Sequence, residues 1–217
     1  AENLTLFGLT EFNKQKLHEL IQEISKIDEI EQIRLSEIAP QNIYPELIDE
    51  IRNNSKINFI DMQIESASNR ILKLMNRGYK MEKVIEYIKD MRKYREIFFS
   101  TVSMTGFPTE TYNDLDMTLK FFEDNKVYCN LVCQYEDYKY IPSHDLKQLK
   151  PCIAREHTRY FLNELELINN KNLTELCKKR HSGIICGHDG NFTILSFNDL
   201  PILGYSISKN YHDLKEG

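Results

Sequence analysis

"INFIDMQIESASNRILKLMNRGYK", residues 57–80, decides how the rest of the chain is read. It opens as an apolar run suited to a buried strand, turns polar at Gln63, Glu65, Ser66 and Ser68, and passes straight into a pattern with helical spacing. An apolar strand followed at once by an amphipathic helix is the unit of a parallel sheet, whose strands are joined by crossover helices. The polar junction adds a second expectation, because the carboxyl ends of parallel strands share one rim, where such folds bind ligands. Glu65 is the most telling residue there. Set between Ile64 and Ser66 near a core, its carboxylate needs a partner or a ligand.

The same phrase recurs outward from this stretch. Five apolar runs precede polar or Gly-containing junctions: "LTLFG" (4–8), "QIRLSEIAP" (32–40), "INFIDMQIES" (57–66), "IFFSTVSMTGFP" (97–108) and "VYCNLVCQY" (127–135). Between them lie amphipathic stretches such as "KQKLHELIQEISKI", where Leu17, Leu20, Ile21, Ile24 and Ile27 share a helical face, and "YPELIDEIRNN", with Pro45 in the first turn. Strands alternating with helices predict right-handed crossovers and an α/β fold. All five junctions then converge on one rim: Gly8 to Glu11, Ser36 and Glu37, Gln63 to Ser68, Gly106 to Glu110, and Gln134 to Asp137.

Each junction also has a purely architectural reading. Ser68 ahead of "NRILKLM" is a fitting helix N-cap, and in "GFPTET" (106–111) Thr109 or Thr111 serves the next helix, with Glu110 near its positive end. Gly106 additionally lets the backbone approach a flat ligand. Arg77, after "NRILKLMN", either reaches a carboxylate or is a surface charge.

Composition narrows the classes. With 217 residues, 41% hydrophobic and 28% charged, the chain suits one large globular domain with a small appendage. No apolar run approaches the roughly 20 residues of a membrane span. A net charge of -5 leaves no global field for nucleic acid, so an RNA contact would come from a local patch such as Lys178, Lys179 and Arg180. Five cysteines, an odd number with no signal peptide ahead of them, point to a reducing cytoplasm rather than a secreted disulfide scaffold. An opening that enters an apolar run within three residues of Ala1 suggests a fragment of something longer.

Taken together, "INFIDMQIESASNRILKLMNRGYK", "FFSTVSMTGFPTETYNDLDMTLKFFE" and "QIRLSEIAP" resemble the radical S-adenosylmethionine superfamily, in its methylthiotransferase branch of the MiaB and RimO type. The resemblance runs from about residue 4 to 135 and implies a partial (β/α) barrel whose strands two to six are the five runs. It further implies S-adenosylmethionine at the rim, a [4Fe-4S] cluster that cleaves it to a 5′-deoxyadenosyl radical, an electron donor, and a tRNA base or protein side chain as substrate. On this resemblance Gly8 and Glu11 lie near the methionine amino group. Glu37 and Arg77 join the cofactor-binding set, while Gln63, Glu65, Ser66 and Ser68 face the ribose and carboxylate. Gly106 and Phe107 lie near the adenine.

Departures from the family pattern are equally plain. The CxxxCxxC cluster loop is absent from this sequence, so the cluster belongs to a longer parent and the chain alone is expected to be inactive. Cys129 and Cys133, spaced "CNLVC" within a predicted strand, read as core thiols. Glu65 and Ala67 stand where methylthiotransferases have Ser and Gly, Val102 where Asp is usual, and "YEDYKYIPS" (135–143) lacks the Gly-Thr phrase. The expected division is a partial barrel over 1–142, a helical connection over 143–172 with a break at "NNKN", and a β-rich region over 173–217 punctuated by Asp189-Gly190 and Asp199 to Pro201. In that tail His181, Cys186 and His188 have metal-like spacing but read as ordinary hairpin residues. The competing reading is a cluster-less barrel that serves as a binding or scaffold module, or another radical S-adenosylmethionine branch. An open-sheet nucleotide protein is disfavoured, since neither GxGxxG nor GxxxxGK occurs.

Overall fold

Four of the five apolar runs become strands of one parallel sheet: β1 (Ile33–Ile38), β2 (Ile57–Met62), β3 (Phe98–Thr105) and β4 (Val127–Gln134). The structure, a computed structural model, describes residues 3–177 and three further strands at 183–188, 193–197 and 204–205. The sheet order β1-β2-β3-β4 follows the chain without reversal. A sequential walk of parallel strands is the arc of a (β/α) barrel, whereas an open doubly wound sheet reverses its order at a switch point.

The crossover helices are α3 (Pro45–Asn53), α4 (Asn69–Leu74) with α5 (Met81–Met91), and α6 (Tyr112–Asn125). Together with α2 (Leu17–Ser25) they bury one face of the sheet. Leu17, Leu47, Ile51, Val84, Ile88 and Phe122 from the helices meet Leu35, Ile60, Met62 and Phe99 from the strands and Ile64 just beyond β2. All of these side chains are at most 2% exposed. At roughly 1.5 to 3 kcal/mol for each large aliphatic side chain buried, this layer is the main source of stability.

The first apolar run behaves differently. Leu4–Leu6 is a 3-10 turn and Leu9–Phe12 the short helix α1, not a strand. The reason is local. Asn3 caps the turn by accepting from Thr5 N at 3.2 Å, and Gly8 reverses the chain at φ 86°. Gln15 Nε2 then donates both to Thr5 O at 2.9 Å and to Asn42 O at 2.8 Å. The backbone groups a strand would offer to a neighbour are thus partly occupied within the segment itself.

Helix α7 (Pro151–Cys177) corrects a second expectation, since it runs unbroken through "NNKN". Two of those asparagines face the protein and dock the helix, one onto the sheet edge and one onto α6. Asn169 donates to Cys129 O at 2.9 Å and accepts from Cys129 N at 3.3 Å, while Asn172 donates to Phe122 O at 3.1 Å. Asparagine side chains that satisfy a neighbour's backbone in this way do not compete with their own helix. The three later strands β5 (Gly183–His188), β6 (Thr193–Phe197) and β7 (Gly204–Tyr205) form an antiparallel sheet in that order. Lys178 to Arg180, His181 and the side chains of Cys186 and His188 lie outside the described residues.

Candidate functional site

Residues of one strand face build the site in layers. Arg34, Phe59, Phe98 and Tyr128 lie across the four strands: the guanidinium of Arg34 sits 3.8 Å from the Phe59 ring centroid, Phe59 stacks on Phe98 at 5.4 Å, and Phe98 meets Tyr128 at 5.9 Å. Two residues further along, Ser100 donates to Asp61 at 2.8 Å and Asn130 donates to Ser100 at 3.1 Å. Alternation along β2 and beyond therefore carries Phe59, Asp61, Gln63 and Glu65 upward on one face, from an aromatic floor to a charged rim.

At the rim the backbone is specialised. The pairing of β1 with β2 slips between Leu35 and Ile38, and Glu37 adopts φ 58° there. A bulge of this kind re-aims a side chain, and a non-glycine residue in the left-handed region costs about 1 kcal/mol or more. Its outcome is a hydrogen bond from Gln63 Nε2 to the Glu37 carboxylate. Glu65 is pinned from behind, its carbonyl accepting from Met104 N at 2.9 Å and from the Ser103 hydroxyl at 3.1 Å. Its carboxylate meets Arg77 at 2.8 Å. Burial pushes the Glu65 carboxyl up, against the downward pull of Arg77. The Tyr79 hydroxyl donates to Gln63 O at 3.3 Å, and burial raises its pKa.

Ser66 and Ser68 are placed differently from the expectation. They are 4% and 1% exposed and lie between α4 and α6 rather than on the open rim. Ser68 is the N-cap of α4, accepting from Ile71 N at 3.5 Å, and its hydroxyl donates to Asp114 at 2.6 Å. Ser66 Oγ accepts from Ser68 N at 3.1 Å. Asp114 also completes a capping box with Thr111 and pairs with Arg70. Burial pushes its carboxyl up, but hydrogen bonds from Arg70, Ser68 and Thr111 outweigh this and hold it below the usual range. The Thr-x-x-Asp spacing of 111–114 was the sequence signal for this centre.

The "GFPTE" turn carries the third group. Gly106 has φ 74°, and a Cβ there would meet the Cβ of Ala154 on α7 at 3.2 Å. Glu110, 4% exposed, accepts from Gly106 N at 2.8 Å and lies 3.1 Å from His157 Nδ1. Thr109, at φ 66°, is clamped by Arg70, which donates to its hydroxyl at 2.9 Å and its carbonyl at 3.0 Å. Phe107 packs edge-on to Tyr135 at 5.1 Å. With Met104, Arg77, Ile141 and Pro142 these rings wall a cavity of about 380 Å³ at the strand ends. Gly8 and Glu11 do not sit at a strand end but belong to the N-terminal turn, which reaches the rim through Asn3 and Gln15 against Asn42.

A model of the radical SAM superfamily matches residues 1–122, more than half of the chain. The chain belongs to the radical SAM superfamily. Within it, the sequence is similar to methylthiotransferases of the RimO type. A ribosomal protein uS12 methylthiotransferase RimO of Clostridium botulinum strain Eklund 17B is 31% identical over 88% of this chain and 44% of its own length. Its counterpart in Thermoanaerobacter sp. strain X514 is 29% identical over 100% of this chain and 51% of its own length. This radical SAM chain therefore spans about half the length of those curated relatives. Among solved structures, a coproporphyrinogen III oxidase, HemN of Escherichia coli, shares the fold over 70% of this chain and 37% of that one, with a TM-score of 0.56 and 15% identity.

The superfamily implies two bound groups, which fare differently. Among the described residues no group of three His, Cys, Asp or Glu side chains could hold a metal ion. Cys129 is buried, its thiol pushed up to about 12 by that burial, and Cys133 offers no third ligand beside it. The described residues do not fit an iron–sulfur cluster. They do fit S-adenosylmethionine: an aromatic cavity of suitable size for a flat base is lined by the Arg77 guanidinium, which pairs with the Glu65 carboxylate, and the Glu37 carboxylate stands at a neighbouring strand end.

Proposed function

We propose that the chain is the S-adenosylmethionine-holding part of a methylthiotransferase whose longer form carries the cluster, and which adds sulfur and a methyl group at an unactivated C–H of a protein side chain or a tRNA base. The observation that carries this reading is the rim cavity walled by Phe107, Met104 and Tyr135 with Arg77 at its edge, in a radical SAM chain similar to uS12 methylthiotransferases. When bound, the cofactor supplies the radical chemistry; the chain supplies position and dryness. Phe107, 3% exposed, presents a flat apolar wall for the adenine. Arg77 offers a carboxylate partner, and Glu37 and Glu65 offer anions for the ammonium.

Calorimetric titration with S-adenosylhomocysteine tests this. One saturable site is expected, weakened about tenfold or more by Arg77→Ala and by Phe107→Ala, as for loss of a charge-assisted or aromatic contact. Unaltered binding in both variants would overturn the rim assignment, and robust turnover by the purified chain without added iron would overturn the need for a longer form. A second reading is a barrel that binds without doing the chemistry. Translation of the coding region upstream of Ala1 decides between them, since a CxxxCxxC after an apolar strand there supports only the first.

A further inference from the structure

A second and larger cavity, about 550 Å³, opens between the 3-10 turn after β1 and the segment joining α4 to α5. Four cations line it: Lys73, Arg77, Lys80 and Lys83. Arg77 is engaged by Glu65, and Lys83 by Glu86 at 2.6 Å. The amino groups of Lys73 and Lys80 make no hydrogen bond or ion pair with a described residue; the nearby acid Glu82, which feels Lys80 electrostatically, is held by Asn69. In a chain of net charge -5, this concentration of positive charge in a concavity is a local exception. Pro40 and Tyr79 form flat apolar walls, while Tyr87 lies under the Lys83 ammonium, 5.1 Å from its ring centroid. Gln41 and Asn76, which line the cavity beside Asn69 and Gly78, have side-chain amides that make no hydrogen bond to a described residue.

We propose that this cavity binds a nucleoside phosphate, with Lys73 and Lys80 holding the phosphate, Pro40 and Tyr79 flanking the base, and Gln41 and Asn76 meeting its edge. Three features favour this over an acidic peptide. Lysines act as point charges suited to phosphate, whereas planar carboxylates favour the arginine fork, and the arginine here is already paired. Aromatic faces accept any base by stacking, and a free amide carries both a donor and an acceptor for a base edge. The space is also that of a small-ligand cavity, not an extended groove. A free nucleotide and one nucleotide of an RNA strand present the same chemistry.

The test is calorimetric titration of the full chain at low salt with AMP, ATP and a 5′-phosphorylated uridine tetranucleotide. Saturable binding is expected, weakened about tenfold by Lys73→Glu and by Lys80→Glu, and declining with added salt as phosphate contacts do. The same reversal at Lys89, in the last turn of α5, should leave it unchanged. Tetranucleotide affinity well above that of AMP identifies a strand as the source, and equal affinities identify a free nucleotide; both support the site. Absence of saturable binding, an equal loss in Lys89→Glu, or displacement of AMP by a polyglutamate peptide at lower concentration than by ATP would overturn the proposal. Neither substituted lysine touches the Phe107 cavity, so the two readings fail separately.

Discussion

Asp114 shows how much one buried side chain organises. It closes the cap of α6, receives the hydroxyl that caps α4, and anchors Arg70, whose other contacts hold the left-handed Thr109 in place. Its folded-state pKa is lowered, so its contribution is present above the unfolded value and lost as pH falls through the folded one. Asp114→Ala should cost about 2 to 4 kcal/mol at neutral pH, the range for removing one partner of a buried, charge-assisted network. Urea midpoints followed between about pH 5 and about pH 2 should fall steeply in the parent and more gently in Asp114→Asn.

Glu110 has the opposite sign. Burial raises its carboxyl against the pull of Gly106 N and His157, so its contribution is present below the unfolded value and lost as pH rises through the folded one. Glu110→Gln keeps an acceptor for Gly106 N without a charge. Its stability should therefore match the parent in acid and exceed it near neutrality. A melting series from about pH 4 to about pH 7 reads the difference, and a variant that loses stability at every pH would contradict this account.

Among the elements, α7 is the one that the sequence pattern describes least well. A run of three asparagines and a lysine reads as a break because asparagine competes with helix backbone. The competition disappears when Asn169 and Asn172 meet strand and helix carbonyls instead, a tertiary fact that periodicity does not carry. Asn172→Ala should remove one buried hydrogen bond while Phe122 O keeps Lys126 N, at a cost of about 0.5 to 1.5 kcal/mol in chemical unfolding. The Gly106 turn tests the same docking from the other side. Gly106→Ala adds a Cβ in a left-handed position against Ala154, and should lower stability by roughly 1 to 3 kcal/mol while weakening S-adenosylhomocysteine binding.

The junction in "QIESAS" was legible as polar and buried, but not in its division of labour. Period-2 alternation places Gln63 and Glu65 on the rim face. Ser66 and Ser68 leave that face once the chain turns into α4, and the sequence alone does not mark where strand geometry stops. The bulge that aims Glu37 left no signal either, since glutamate carries no preference for positive φ.

At the scale of the molecule, the β-α alternation was legible because apolar runs and amphipathic stretches differ in period, and four runs paired as that alternation requires. "LTLFG" has the same apolar character, yet capping by Asn3 and the reversal at Gly8 close it into a turn. Central strands β2 and β3 have parallel neighbours on both sides, while β1 and β4 each pair with one. Amide exchange should accordingly be slowest in Ile57–Met62 and Phe98–Thr105, measurably faster in Ile33–Ile38, and a reversed order would indicate that the sheet opens from its middle.

Arg77 lines both the rim cavity and the cationic one. A guanidinium shared between two vessels, and presently tied to Glu65, makes their occupants thermodynamic neighbours. Any ligand that draws Arg77 toward itself changes what the other cavity has left to offer, and linkage requires the effect to be mutual. The factor by which S-adenosylhomocysteine alters the affinity for AMP must equal the factor by which AMP alters the affinity for S-adenosylhomocysteine, and Arg77→Ala should bring both factors to unity.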